Sequence, residues 1–277
     1  MDNRPIGVFD SGLGGLTAVR RLTEMMPQED IVYFGDTGRV PYGNRSREII
    51  RRYAAEDCAF LLRQQVKMII AACGTVSSVA SDILSELPVP AIGVVQATAA
   101  AAVQATVSRR VGVIGTATTI RFGSFEKAMH AIDPAIRITA EACPMLVPLV
   151  ETGWIDSADE VAVATVRRYM QPIREAGVDT LILGCTHFPL LAPIIGRELG
   201  ESVTLIDSGR ETAIACARVL ESSSSRAGRE TAGHCRFFVS DRPQGFSQVA
   251  ETFLGRSVHE EVALVLPEAL TKEGVNE

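Results

Sequence analysis

The sequence predicts an α/β protein built as two pseudo-symmetric lobes, each a doubly wound parallel sheet. Three observations carry that expectation. Eight short β-rich runs alternate with helical stretches almost throughout the chain. Those runs are continuously apolar, the pattern of strands buried on both faces of a parallel sheet. The order of motifs also repeats. RPIGVFDSG resembles RRVGVIGTA, with Gly7 against Gly112, a shift of 105. VKMIIAACGT resembles VDTLILGCTH, with Cys73 against Cys185, a shift of 112, and VPAIGVVQATA resembles SVTLIDSGRETA, with Thr98 against Thr212, a shift of 114. One such match arises by chance from shared strand–helix grammar; three in the same order argue for duplicated lobes.

The elements follow in order. IGVFD (6–10) is the first strand, ending on Asp10 and Ser11, and the glycines of DSGLGG behind it allow a tight turn and close approach to a ligand. It is not a dinucleotide fingerprint, because Thr17 stands where GxGxxG needs its last glycine. DIVYFG (30–35) leads into the Pro/Gly loop DTGRVPYG (36–43), in which Tyr42 is a candidate hydrogen-bond donor. SREIIRRYAAEDCAFLLRQQ (46–65) spaces its apolar residues by three and four, as an amphipathic helix does. KMIIAA (67–72) and PAIGVV (90–95) complete the first set of strands.

RVGVIG (110–115) opens the second set and ends in the hydroxyl-rich turn GTATT (115–119). IRITAE (136–141), the helical ADEVAVATVRRYMQPIREAG (158–177), DTLILG (179–184) and SVTLID (202–207) follow. SSSSRAGRETAG (222–233) reads as a mobile surface linker. Beyond it, CRFFVSD reads as a strand, RPQGFSQVAETFLG as a helix and HEEVALV as a strand, adding edge structure to one lobe. The lobes divide as 1–97 plus 210–277 and as 98–209.

Bulk properties narrow the function. The 277 residues are 47% hydrophobic and 22% charged, ordinary for a globular protein. A net charge of −6 without a basic tract argues against nucleic acid as a partner. MDNRPIGVFDSG carries charges where an export signal needs an apolar core, and no apolar run reaches membrane-span length, so the expected place is the cytoplasm, with no membrane partner. With few residues before the first motif, no extra N-terminal regulatory element is expected. The six cysteines are then expected as reduced thiols, and none forms a CxxC pair or zinc-finger spacing.

Cys73 reads either as a small hydrophobe closing a buried strand or as a reactive thiol. Cys185, in register with it, favours the second reading. Both follow a strand and precede a helix, where open α/β sheets bind ligands; Cys58 and Cys216 fall within helices, as packing cysteines do. His187 shares the second turn with a thiol. Glu151, in VPLVETGW, reads as a solvated helix-end charge that periodicity does not select. Two thiols on opposite sides of a cleft suit racemisation, which needs a base on one face of a stereocentre and an acid on the other.

FDSGLGGLTAV, DTGRVPYG, AACGT and GCTHFPLL, in that order, resemble the glutamate racemases of the cofactor-independent aspartate/glutamate racemase family. The resemblance runs from residue 6 to about residue 255. It implies a site between the two lobes, no cofactor and no metal, glutamate as the small-molecule substrate and a homodimer. Cys73 and Cys185 become the two catalytic acid/bases, with Asp10 assisting Cys73 and with Glu151 and His187 assisting Cys185. Ser11, Pro41, Tyr42, Gly43, Gly74, Thr75, Thr118 and Thr186 become the residues of the glutamate site. The first cysteine is expected to act on the D enantiomer and the second on the L, and D-glutamate to feed peptidoglycan synthesis. No lysine (67, 127, 272) sits in a strand-end motif suited to a Schiff base.

Two positions depart from the family pattern: Gly74 replaces its usual asparagine, and Gly38 its usual alanine. Losing the carboxamide costs about 1 to 3 kcal/mol if a buried partner is left unpaired. Rival expectations are an aspartate racemase, a cysteine hydrolase using Cys185 and His187, a redox dithiol, and an amino-acid-binding relative without catalysis.

Overall fold

In the computed structural model, described over residues 1–243, 246–258, 262–266 and 269–270, two parallel sheets lie side by side. The strands are β1 (Ile6–Asp10), β2 (Ile31–Gly35), β3 (Met68–Ala71), β4 (Ala91–Gly93), β5 (Arg110–Gly115), β6 (Arg137–Ala142), β7 (Thr180–Leu183), β8 (Thr204–Asp207), β9 (Cys235–Val239) and β10 (Val262–Leu264). The first sheet runs β10-β9-β2-β1-β3-β4 and the second β6-β5-β7-β8. β2-β1-β3-β4 and β6-β5-β7-β8 therefore share one order, the structural form of the repeat in the sequence. All described strand pairs are parallel.

Burial explains why these runs became strands. Every residue of β1, β2, β3 and β7 is buried, as a sheet covered by helices on both faces requires. Two helices link the sheets, Val94–Ala105 after β4 and Ser208–Ser222 after β8, and they pack against each other. The repeat reaches into them. Thr98 and Thr212 are fully buried, and each donates its hydroxyl to the carbonyl four residues earlier, Val94 at 2.5 Å and Ser208 at 2.7 Å.

PAIGVV is only partly a strand. Val94 and Val95 already belong to the following helix, because the Ser77 hydroxyl accepts the Val94 N–H at 3.1 Å and starts it there. A short apolar run cannot separate these outcomes by periodicity. The tail takes the expected place: β9 pairs with β2 and β10 with β9, extending one edge of the first sheet. Residues 244–245 of the predicted tail helix and 259–261 of the last predicted strand lie outside the described residues. Among the described residues no helix is long and apolar enough to cross a membrane.

The Ser-rich linker is anchored, contrary to its composition. Lys67 Nζ donates to the Ser225 carbonyl at 2.8 Å, to the Asp2 carbonyl at 2.7 Å and to Glu29 Oε2 at 2.5 Å. Glu29 also accepts the Ala227 N–H at 2.9 Å, and Arg229 grips Asp30 through two 2.7 Å bonds. The Lys67 and Glu29 side chains are each 1% exposed. Lys67→Met therefore leaves Glu29 with the more distant Arg226, at 3.5 Å, as its remaining cation and is expected to destabilise by about 3 kcal/mol in urea unfolding, with partial recovery in Lys67→Met/Glu29→Gln.

Candidate active site

Parallel pairing brings the chemistry to one edge. Phe9 of β1 faces Phe34 of β2 and Ala71 of β3, and Ile114 of β5 faces Leu183 of β7. The residues just beyond, Asp10, Asp36, Cys73, Thr116 and Cys185, all leave their sheets at the carboxyl ends. A cavity of about 260 Å³ lies between the two sets of strand ends. It is smaller than the roughly 300–1,000 Å³ of sites for drug-sized ligands and suits a molecule of amino-acid size.

Eleven of the thirteen residues expected at the site line this cavity: Ser11, Pro41, Tyr42, Gly43, Cys73, Gly74, Thr75, Glu151, Cys185, Thr186 and His187. Asp10 and Thr118 do not. Asp10 lies one layer deeper, 1% exposed, with Oδ2 accepting the Gly12 N–H at 3.0 Å. Thr118 is a correction to the expected lining. Its hydroxyl donates to the Gly43 carbonyl at 2.5 Å, so it ties the second lobe to the loop of the first. Tyr42 is a partial one: it lines the cavity, but its hydroxyl donates to Asp36, behind the wall. Asn44, Thr116, Pro144 and Pro148 line the cavity without having been singled out. The GTATT turn pointed toward Thr116; the prolines carried no chemical signal.

Each thiol has its own surroundings. Cys73 Sγ donates to Ser11 Oγ at 3.6 Å. Burial and then the charge of Asp10 push this thiol up to about 12, against the Val76 N–H and the Ser11 hydroxyl. Burial likewise raises the Asp10 carboxyl, against the nearby His187 charge and the N–H groups of Gly12 and Gly15. On the other side, Cys185 Sγ is 3.8 Å from His187 Nδ1, and His187 Nε2 is 3.2 Å from Glu151 Oε1. Burial alone would lower His187, but its bonds to Cys185 and Glu151 outweigh it and raise the imidazole to about 10. The rise favours the imidazolium form of His187 beside Cys185.

Glycines let the lobes meet here. A Cβ at Gly14 would overlap the Thr186 hydroxyl and come within 2.6 Å of the His187 ring. A Cβ at Gly74 would run into the backbone carbonyl of Gly184, the residue before Cys185. Hydroxyls stitch the same seam: Thr17 Oγ1 donates to the Thr186 carbonyl at 3.1 Å, and Thr75 and Thr116 share a 3.1 Å bond. Among the described residues no three His, Cys, Asp or Glu side chains cluster as a metal site would.

Known proteins share this architecture. The chain is 46% identical over 253 residues to a glutamate racemase of Geobacter metallireducens, covering 91% of this chain and 93% of the relative. Its fold matches the crystal structure of a Bacillus anthracis glutamate racemase isoform with a TM-score of 0.90, at 37% identity over 96% of this chain and 98% of the other. A Francisella tularensis glutamate racemase in complex with D-glutamate matches with a TM-score of 0.88, at 35% identity and the same coverage. The family model for Asp/Glu/Hydantoin racemase spans residues 13–216, from the glycines behind Asp10 to the helix that returns from the second sheet. With its strand-end thiols, its duplicated sheets and these relatives, the chain belongs to the Asp/Glu/Hydantoin racemase family.

Proposed function

We propose that the protein interconverts L- and D-glutamate by removing the Cα proton on one face of the substrate and supplying another on the opposite face, with the thiols of Cys73 and Cys185 as the two acid/bases. One observation carries the reading. The two cysteines stand just beyond equivalent strands, β3 and β7, of like-ordered sheets, and both open onto one cavity.

One cysteine, as thiolate, takes the Cα proton, and the C–H electron pair passes onto the carbon and toward the adjoining carboxylate. The opposite thiol then gives its proton to that carbon from the other face. The first sulfur ends protonated and the second as thiolate, so the site is left ready for the reverse reaction. Cys73 serves D-glutamate and Cys185 L-glutamate. Asp10 manages the proton of Cys73; His187, oriented by Glu151, does so for Cys185. The hydroxyls of Ser11, Thr75, Thr116 and Thr186 supply donors for the substrate carboxylates and the charge that develops beside Cα.

The choice of glutamate is supported by the Geobacter metallireducens relative and by the D-glutamate complex of the Francisella tularensis protein. The scheme calls for no cofactor. Peptidoglycan synthesis as the destination of D-glutamate, the cytoplasm as the compartment and a homodimer as the working form rest on the family resemblance.

In heavy water, each enantiomer of glutamate is expected to gain deuterium at Cα as optical activity decays, followed by proton magnetic resonance and circular dichroism. Absence of exchange would leave an amino-acid-binding protein in place of an enzyme. Faster turnover of aspartate would move the substrate assignment to the shorter acid.

A further inference from the structure

Behind the Pro41–Gly43 wall of the cavity lies a buried ionic cluster that the proton-transfer scheme does not use. Arg39 donates Nε to Asp36 Oδ2 at 2.6 Å, Nη2 to Asp57 Oδ1 at 3.0 Å and Nη1 to Glu56. Its guanidinium lies 4.1 Å above the ring of Tyr53, which packs in turn on Tyr42 at 5.3 Å between ring centroids. Asp36 and Asp57 are fully buried. The remaining oxygen of Asp36, Oδ1, accepts the Ser240 hydroxyl at 2.7 Å, and the Asp36 N–H donates to the Asp10 carbonyl at 3.0 Å. The cluster is thus bonded both to the pocket wall and to the strand end that carries Asp10.

We infer that Arg39 and Asp57 are positioning residues for the reaction: they lock the Tyr42 ring and the Pro41–Gly43 backbone into the shape that receives the substrate. The inference rests on the glutamate-racemising reading of the same cavity. The geometry gives three arguments. Tyr42 lines the cavity with its hydroxyl turned away, so its place depends on what holds that hydroxyl, and Asp36 and Asp57 are its partners. Arg39 reaches both of those carboxyls with separate arms of its fork, a task a point-charge ammonium cannot repeat. The second lobe closes on the same segment through Thr118 and the Gly43 carbonyl, so a shift of the wall is felt on both sides of the cleft.

The cluster's proton inventory sharpens the test. Burial and the charge of Asp36 push the Asp57 carboxyl well above the usual range, while Arg39 opposes that rise without cancelling it. Burial and the two aspartates raise Tyr42 as well, so it stays a phenol. The phenol is the donor to both carboxyls, to Asp36 Oδ2 and, at 3.1 Å, to Asp57 Oδ2, so the two acids share its one proton. An asparagine at 57 keeps both contacts, its carbonyl accepting from Arg39 and its amide donating to the phenol oxygen while the phenol proton goes to Asp36.

Arg39→Lys, Asp57→Ala and Asp57→Asn are compared with the unmodified protein in initial-rate assays on both enantiomers, with thermal unfolding as the check on folding. Arg39→Lys and Asp57→Ala are expected to raise KM about tenfold for both enantiomers while kcat stays within about threefold, since the thiols are untouched. Asp57→Asn is expected to hold KM within about threefold. If Arg39→Lys does not fold, the two Asp57 variants decide alone. A folded Asp57→Ala with unchanged KM overturns the inference, as does an Asp57→Asn as impaired as Asp57→Ala. A loss in kcat with KM unmoved also overturns it. An unmodified protein that racemises neither enantiomer refutes the reading of the reaction, whereas an active one with KM unmoved in the variants refutes only the positioning role.

Discussion

Cys73→Ser and Cys185→Ser are each expected to lower racemisation by about 10²–10⁴-fold, the range a positioned acid or base contributes. A serine hydroxyl keeps the shape but neither gives up nor accepts the Cα proton at a useful rate. The surroundings of the two sulfurs make the losses separable. In Cys185→Ser the remaining thiol still reaches one face, so Cα exchange persists for D-glutamate without inversion; in Cys73→Ser it persists for L-glutamate. Exchange measured separately on each enantiomer reads this directly. The Cys185–His187–Glu151 chain, at 3.8 Å and 3.2 Å, taken alone has the form of a hydrolase nucleophile with its base and orienting carboxylate. A hydrolase has no use for Cys73. Full activity in Cys73→Ser would therefore end the two-thiol scheme.

Restoring the family's usual residue is the second large effect, and it runs against intuition. Gly74→Asn is expected to reduce kcat/KM by about 10²-fold, because small displacements of reacting groups cost on that scale. The neighbour of the new Cβ is the Gly184 carbonyl, backbone that leads straight into Cys185 and cannot turn aside as a side chain does. Relief comes only by parting the two strand ends, and with them the two sulfurs. Gly74→Ala meets the same carbonyl and is expected to lose activity to a similar degree, with about 1–3 kcal/mol of stability. Steady-state kinetics with thermal unfolding tests both. An asparagine variant as active as the parent would show that the carboxamide fits and that the glycine has no spacing role.

Much of the fold was legible because strands buried on both faces write themselves as unbroken apolar runs, as in IGVFD and TLIL. The duplicated order then selected Cys73 and Cys185 by register, which no property of a single cysteine does. Glu151 was reached only through the family resemblance: it is a half-exposed helix-end carboxylate that periodicity does not select, and folding brings His187 Nε2 to it across 36 residues. The cluster around Arg39 was hidden for the same reason, since Asp36, Glu56, Asp57 and Ser240 are gathered by tertiary structure. SSSSRAGRETAG misled by composition, because its anchors, Lys67, Glu29 and Asp30, sit on other segments. Thr118 was expected among the site residues on the family resemblance, but its hydroxyl bonds a backbone carbonyl instead of lining the cavity.

The pairing of β9 with β2 bears on how the chain is made. β2 is completely buried in the finished protein, with β1 on one side, yet its partner on the other side, β9, follows only after the whole second sheet in the chain. Until then Ile31–Gly35 is an apolar edge with unpaired N–H and C=O groups, a template for pairing between nascent chains. A chain that stops short of Cys235 would leave that edge open to pairing with another copy, and CRFFV is the segment that covers it.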